Sequence, residues 1–164
     1  MRRTRWIVLG ALAALAVGCS GGNHDSPTAP GTQTLAVSRA DLLVGGVSVA
    51  GQTMRHGHGE GLTARFEAHL MLGPNPAPGY PVWVDYERPM GMMPHQGRFR
   101  LYDDGTHGDP IPGDGTYCFE DLQARYACHR RNAMSGEYRY EFYGLDHGGR
   151  ETERVRLHVR ISQN

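Results

Sequence analysis

The densest run of chemistry-bearing residues is Leu101 to Tyr117, where carboxylates at Asp103, Asp104, Asp109 and Asp114 alternate with Gly105, Gly108, Gly113 and Gly115. Carboxylates on a glycine-rich loop can converge on a hard cation such as Ca²⁺, which takes about six to eight oxygen ligands. The glycines permit the positive φ angles that such convergence needs. The same residues can do something plainer, each Asp accepting a nearby backbone N–H and closing a turn. The EF-hand spacing D-x-D-x-D-G is not met, and no Glu stands at its twelfth place. Two readings therefore stand side by side: a calcium site at the four aspartates, or a long hairpin connection held by its own side chains.

A second constellation is soft rather than hard. Met54, His56, His58 and Glu60 alternate with Arg55, Gly57, Gly59 and Gly61, so in an extended chain the first four share a face. Met90, Met92, Met93 and His95 follow later. Thioethers with imidazoles suit copper, the thioethers favouring Cu(I). The competing reading is methionine filling gaps under a core and histidine gathered in glycine-rich turns. For catalysis there is little to work with: no G-x-S-x-G, no H-E-x-x-H and no phosphate-cradling glycine loop. Nothing singles out two carboxylates as a glycosidase pair. A non-catalytic role is expected.

The N-terminus speaks about location. Arg2, Arg3 and Arg5 precede an apolar stretch from Trp6 to Val17. At about 1.5 Å per residue that stretch is too short for a hydrocarbon core of about 30 Å, and it fits the apolar region of a signal peptide. It ends in Leu15-Ala16-Val17-Gly18-Cys19, which resembles the lipobox of bacterial lipoproteins, with Ala16 where Leu is usual. The resemblance implies cleavage after residue 18 and a diacylglyceryl group on Cys19. That would anchor the mature chain to the envelope on the extracytoplasmic side. Ser20 behind the lipidated Cys resembles outer-membrane sorting. Cleavage at an ordinary site near Gly18, releasing a soluble protein, is the alternative. Residues 19–34, rich in Gly, Pro, Ser and Thr, read as a flexible tether.

Beyond the leader, 14 arginines face 17 Asp and Glu, a net charge of −3, with no lysine. That balance gives no reason to expect nucleic acid as a partner. The expected partners are the membrane, through the lipid, and an envelope protein or glycan. If Cys19 carries lipid, the odd cysteine count resolves and Cys118 and Cys128 remain as a pair. An oxidising compartment makes a disulfide between them the default. Free or metal-binding thiols are the alternative, without a C-x-x-C spacing to support them.

The elements that must position these residues are strands. Leu62–Leu70, Pro81–Tyr86, Glu137–Tyr143 and Arg154–Ile161 alternate apolar with polar side chains, as half-buried strands do. Shorter candidates lie at residues 35–38, 44–49, 98–102 and 116–120, and residues 121–131 hint at a helical turn. Seven or eight strands over residues 35–164 predict a single all-β antiparallel sandwich. Two resemblances sharpen that expectation. The stretch from Ser135-Gly136-Glu137-Tyr138-Arg139-Tyr140 through Asp146 and Gly148-Gly149 to the last strand is similar to the closing hairpin of bacterial immunoglobulin-like domains. The Asp/Gly run resembles the D-D-G-x-x-G-D-x-x-x-G-D-G-x-Y segment of secreted immunoglobulin-like and choice-of-anchor domains, and more loosely the fibronectin-like part of calcium-activated chloride channel regulators. Both imply an immunoglobulin-like sandwich. One departure is visible: both domain cysteines follow Trp83, so the antibody-type inter-sheet disulfide is missing.

Overall fold

Side-chain alternation in the sequence becomes the pleat of two facing sheets. A computed structural model describes residues 33–129 and 133–163. The expected leader, the expected lipidation site Cys19 and the expected tether up to residue 32 lie outside the described residues. Strand β4 (Ala64–Leu72) buries Ala64, Phe66, Ala68 and Leu70 and turns Arg65, Glu67 and His69 outward. Strands β6 (Val82–Glu87), β9 (Gly136–Gly144) and β10 (Val155–Ser162) do the same with Val82, Val84 and Tyr86, with Tyr138, Tyr140 and Phe142, and with Leu157, Val159 and Ile161. The other long strands are β1 (Leu35–Val44), β7 (Gln96–Leu101) and β8 (Thr116–Asp121). Three short ones, β2 (Val47–Ser48), β3 (Thr53–Arg55) and β5 (Asn75–Pro76), complete the set. Among the described residues there is no helix; of residues 121–131, where a helical turn was expected, Asp121 ends β8, residues 122–129 form turns and bends, and residues 130–131 lie outside the described residues.

The described residues thus form an all-β sandwich with seven long strands, as expected. One sheet runs β2-β1-β4, with β8 and β5 sharing the far edge of β4, and the other runs β3-β10-β9-β6-β7. Every pairing is antiparallel except β3 on β10. Counting long strands only, the first, second and fifth face the third, fourth, sixth and seventh. In an immunoglobulin constant domain the fourth strand lies in the other sheet; here β7 has joined β6.

The core explains how the sandwich does without an inter-sheet disulfide. Phe66 of β4 meets Tyr140 of β9 edge-on at 5.1 Å and Phe99 of β7 at 4.9 Å. These second and sixth long strands are the pair that antibody domains cross-link. Two residues before Tyr140, the Tyr138 hydroxyl lies 3.0 Å from the carbonyl of Met134. A tyrosine bonded to the backbone just upstream of its strand is the tyrosine corner of such sandwiches.

One expected pair of elements differs in extent. Strands lie at both expected places with other bounds: β1 runs on from residues 35–38 to Val44, the chain reverses at Gly45-Gly46, and within residues 44–49 only Val47–Ser48 pair back on it as β2. The cause is a bulge: pairing with β4 shifts register between Val37 and Arg39. The extra residue inverts the alternation, so Val37 is buried before it and Leu42 and Val44 after it.

Candidate functional site

The topology sorts the connections to two ends. Residue 33, the β5–β6 connection, the β7–β8 loop and the β9–β10 turn lie at one end. The β1–β4 turns, the β6–β7 turn and the β8–β9 connection lie at the other.

The β7–β8 loop carries the aspartates. Tyr102 leaves β7 and pairs with Cys118 of β8 through two backbone hydrogen bonds of 2.9 and 2.7 Å, which closes the base of the loop. Asp103 then organises it: Oδ1 accepts the N–H groups of Gly113 (2.8 Å) and Asp114 (3.2 Å), and Oδ2 that of Gly115 (3.1 Å). Asp109, only 6% exposed, accepts from Gly105 and Ile111 at 2.8 and 3.1 Å. Asp114 accepts from Thr116 at 2.7 Å. Gly115 sits at φ +81°, and a Cβ there would come within 2.9 Å of Pro76 Cβ and 3.0 Å of the Ala77 nitrogen. Only glycine fits both the angle and the space.

These turns bring three of the four expected aspartates together. One carboxylate oxygen each from Asp103, Asp109 and Asp114 lies within 4.8 Å of the others. Asp104 is outside the group; it is exposed and bonded to the N–H of Thr106 at 3.0 Å. The two readings of the loop are therefore not exclusive, because the backbone bonds leave lone pairs over. A carboxylate oxygen can accept about two bonds. Asp103 Oδ2, both oxygens of Asp109 and both of Asp114 keep at least one acceptor position each. This hard-oxygen donor set fits Ca²⁺. Like charges at this separation repel by roughly 3 kcal/mol per pair at an effective dielectric near 20. Burial pushes the Asp103 carboxyl above its ordinary value, the backbone donors pull the other way, and Asp109 adds to the rise.

The cysteines correct an expectation. Cys118 and Cys128 are free, buried thiols with no bond between them. Strand parity gives the reason. Cys118 is directly opposite Glu67, one of the outward residues of β4, so it lies on the outer side of its sheet. Its neighbours in β8 point the other way, Tyr117 and Phe119 packing into the core. Cys128 belongs to that core. One sheet separates the two sulfurs. Burial pushes both thiols up to about 12, the direction that makes a thiol inert.

The methionines and histidines divide as well. The extended face expected from Met54 to Glu60 stops at Arg55, where β3 ends. Beyond it come successive turns, with His58 N bonded to Arg55 O, Glu60 N to Gly57 O and Leu62 N to Gly59 O. Met54 is buried in the core while His56 and His58 are exposed. The Met90–His95 segment is at the same end but beside β6, three strand spacings from β3, or about 14 Å. Met92 is buried, with Sδ 3.0 Å from the Tyr138 hydroxyl, whereas Met90 and Met93 are largely exposed. His95 Nε2 is 3.8 Å from Glu87.

Sequence reading missed the outer face of the second sheet. Arg154 bonds Asp85 (2.8 Å) and Glu141 (2.9 Å), Arg98 bonds Asp85 (2.6 Å), and Arg156 bonds Glu141 (2.8 Å). Arg98 and Arg154 also flank the Tyr143 ring at 5.3 and 4.2 Å. An open depression of about 700 Å³ lies over Asp85, Arg98, Glu141 and Arg156. The signal was present, since Arg154, Arg156 and Arg160 recur on one face of the last strand and Glu137 and Glu141 on one face of β9. Their pairing depends on register, which sets Arg156 against Glu141. Because the charges are paired, the face offers hydrogen bonds rather than net charge.

Fold and loop together define a class, a two-sheet sandwich with an acidic, glycine-rich hairpin loop. No family model and no curated protein compared with the chain matches it.

Proposed function

We propose that this chain is a lipid-anchored module of the cell envelope, lipidated at Cys19 and non-catalytic, whose Asp/Gly loop is closed by calcium. The observation that carries the reading is the approach of Asp103, Asp109 and Asp114 to within 4.8 Å. Three carboxylates so placed fit one divalent ion, and the ion would relieve their repulsion. The lipobox-like residues support the anchor and its extracytoplasmic, outer-membrane side. The paired-charge face of the second sheet supports a binding role toward an envelope protein or glycan, since it can exchange hydrogen bonds without strong net charge.

Calorimetric titration of calcium into chelator-stripped protein tests the loop. One equivalent should bind, and at 100-fold excess over the dissociation constant the domain should gain about 2.7 kcal/mol. Asp114→Asn keeps an oxygen for the Thr116 N–H but removes a charge. It should leave stability unchanged or slightly raised in chelator while abolishing the calcium-induced rise. No heat of binding, with identical melting in calcium and chelator, would overturn the calcium reading. Mass analysis of the N-terminal peptide from the membrane fraction tests the anchor: a diacylglyceryl adduct on Cys19 is expected, and an unmodified peptide refutes it.

A further inference from the structure

The β6–β7 turn carries a second arrangement, independent of the calcium reading. Pro89 O accepts the N–H of Met92 at 3.2 Å, and Gly91 takes φ +98° within this turn. A fourth methionine, far away in sequence, lies on the turn: Met134 Sδ is 3.2 Å and its Cε 3.1 Å from where a Cβ on Gly91 would stand. The absence of a side chain at Gly91 is what admits the Met134 thioether. Met90 and Met93 leave the same turn on either side of Gly91 and Met92, 81% and 86% exposed, and Met134 is 41% exposed. Apolar side chains of this size forgo the stabilisation of burial by staying in water.

The turn is supported from beneath by hydrogen bonds. The Tyr138 hydroxyl touches both Met92 Sδ and Met134 O at 3.0 Å, tying the turn to the start of β9. Arg88, buried below, bonds the carbonyls of Pro94 and, through its backbone, of His95. Exposed thioethers are thus presented on a backbone held by hydrogen bonds.

We infer that Met90, Met93 and Met134 form a thioether site for a soft monovalent cation, Cu(I) being the physiological ion of that class. Neutral sulfur donors select Cu(I) over calcium, magnesium and manganese. The buried guanidinium of Arg88 below the turn weighs against a divalent ion and less against a monovalent one. Met92 is not a ligand, because its sulfur is buried and engaged by Tyr138. Met54, His56 and His58 are not ligands, because they belong to the opposite edge of the sheet.

The test uses full-length protein labelled with [ε-¹³C]methionine and titrated with Ag(I), a redox-inert probe of the same class, then with Cu(I) under reductant. Methyl resonances are assigned by single Met→Leu variants, which nearly conserve volume. The methyls of Met90, Met93 and Met134 should shift together and stop at one equivalent, while those of Met54 and Met71 stay put. The variant with all three replaced by Leu should lose that phase and keep the fold of the parent by amide spectra. Capture of the metal by Cys118 or Cys128 would leave the three methyls unmoved at one equivalent, and that result overturns the proposal. So does a coordinated shift that survives in the triple variant at Met54 or Met71.

Discussion

The segment after β8 is held between two buried charges that do not touch, and their coupling can be measured. Arg88 and Asp121 are 2% and 3% exposed. Arg88 Nη1 donates to the carbonyl of Arg125 at 2.7 Å, and the N–H of the same peptide unit, on Tyr126, donates to Asp121 Oδ2 at 2.7 Å. One peptide group thus lies between cation and anion with its dipole aligned to both. Asp121 also accepts the N–H groups of Arg125 (2.8 Å) and Ala127 (2.9 Å). That is why residues 122–127 turn around this carboxylate instead of starting a helix.

The magnitude follows from the geometry. Two hydrogen bonds of 2.7 Å and an N-to-O span of about 2.2 Å across the peptide put the charges at most about 7.6 Å apart. At an effective dielectric near 20 the attraction is roughly 2 kcal/mol. Asp121→Ala leaves three N–H groups without an acceptor at about 1–3 kcal/mol each, enough to threaten a domain with about 5–15 kcal/mol in hand. The cycle is therefore built on Asp121→Asn, which keeps one carbonyl acceptor, and Arg88→Met, which keeps the packed stem. Urea unfolding of both single variants and the double should show a coupling of about 1–2 kcal/mol, the double being less destabilised than the singles summed. Additivity within about 0.5 kcal/mol, the behaviour of independent sites, would refute the relay.

Cys118 and Cys128 should resist a maleimide at pH 8 in the native protein and both react once denaturant is added without reductant; a mass two units low with no labelling would restore the bridge. In the acid range two groups of carboxylates act in opposite senses. Burial alone would raise Asp85, but hydrogen bonds from Arg98 and Arg154 hold it below its ordinary 3.8, and Arg156 and then Arg154 hold Glu141 below 4.5. Their contribution is complete above those ordinary values and lost as pH falls through the lower folded-state ones. Asp103 is raised, so its penalty is present above its folded value and relieved as pH falls through it. In chelator, Asp85→Asn should flatten the acid limb of a stability–pH curve and Asp103→Asn should steepen it; the reverse pattern refutes the assignment. Gly115→Ala should cost about 1–3 kcal/mol in thermal unfolding, from its positive φ and the contact with Ala77, whereas Gly113→Ala, with a similar φ of +77° but open space, should cost less.

What the sequence made legible was whatever alternation alone determines. Strands β4, β6, β8, β9 and β10 fall within about two residues of their expected bounds, because a half-buried strand announces its period. Alternation fails at β1, where a bulge inverts it and the apolar positions 37, 42 and 44 have no common period. It also fails at Met54 to Glu60, where the polar–glycine alternation of a strand is equally that of successive turns with positive φ at Gly57, Gly59 and Gly61. The three converging aspartates were visible as a motif. The exclusion of Asp104 was not, because it depends on which side of the Gly105 turn its carboxylate falls.

Parity decides the remaining sites, and parity belongs to pairs of strands rather than to one. Cys118 and Cys128 look like partners along the chain, yet the register that places Cys118 opposite Glu67 puts it, buried, on the outer side of the sheet, while Cys128 belongs to the core. Arg156 finds Glu141, and Asp85 finds Arg98, by the same rule applied across β9–β10 and β6–β7. A slip of one residue in any of these ladders would send every such side chain through to the other face. Burial of Phe66, Val84, Tyr140 and Val159 forbids that slip. The apolar core therefore fixes the chemistry of the outer faces, and a core variant that loosens register, such as Phe66→Ala at about 3–5 kcal/mol, should disturb the charged face and the environment of Cys118 before it disturbs the turns of the Asp/Gly loop, whose carboxylate hydrogen bonds are made to nearby backbone N–H groups.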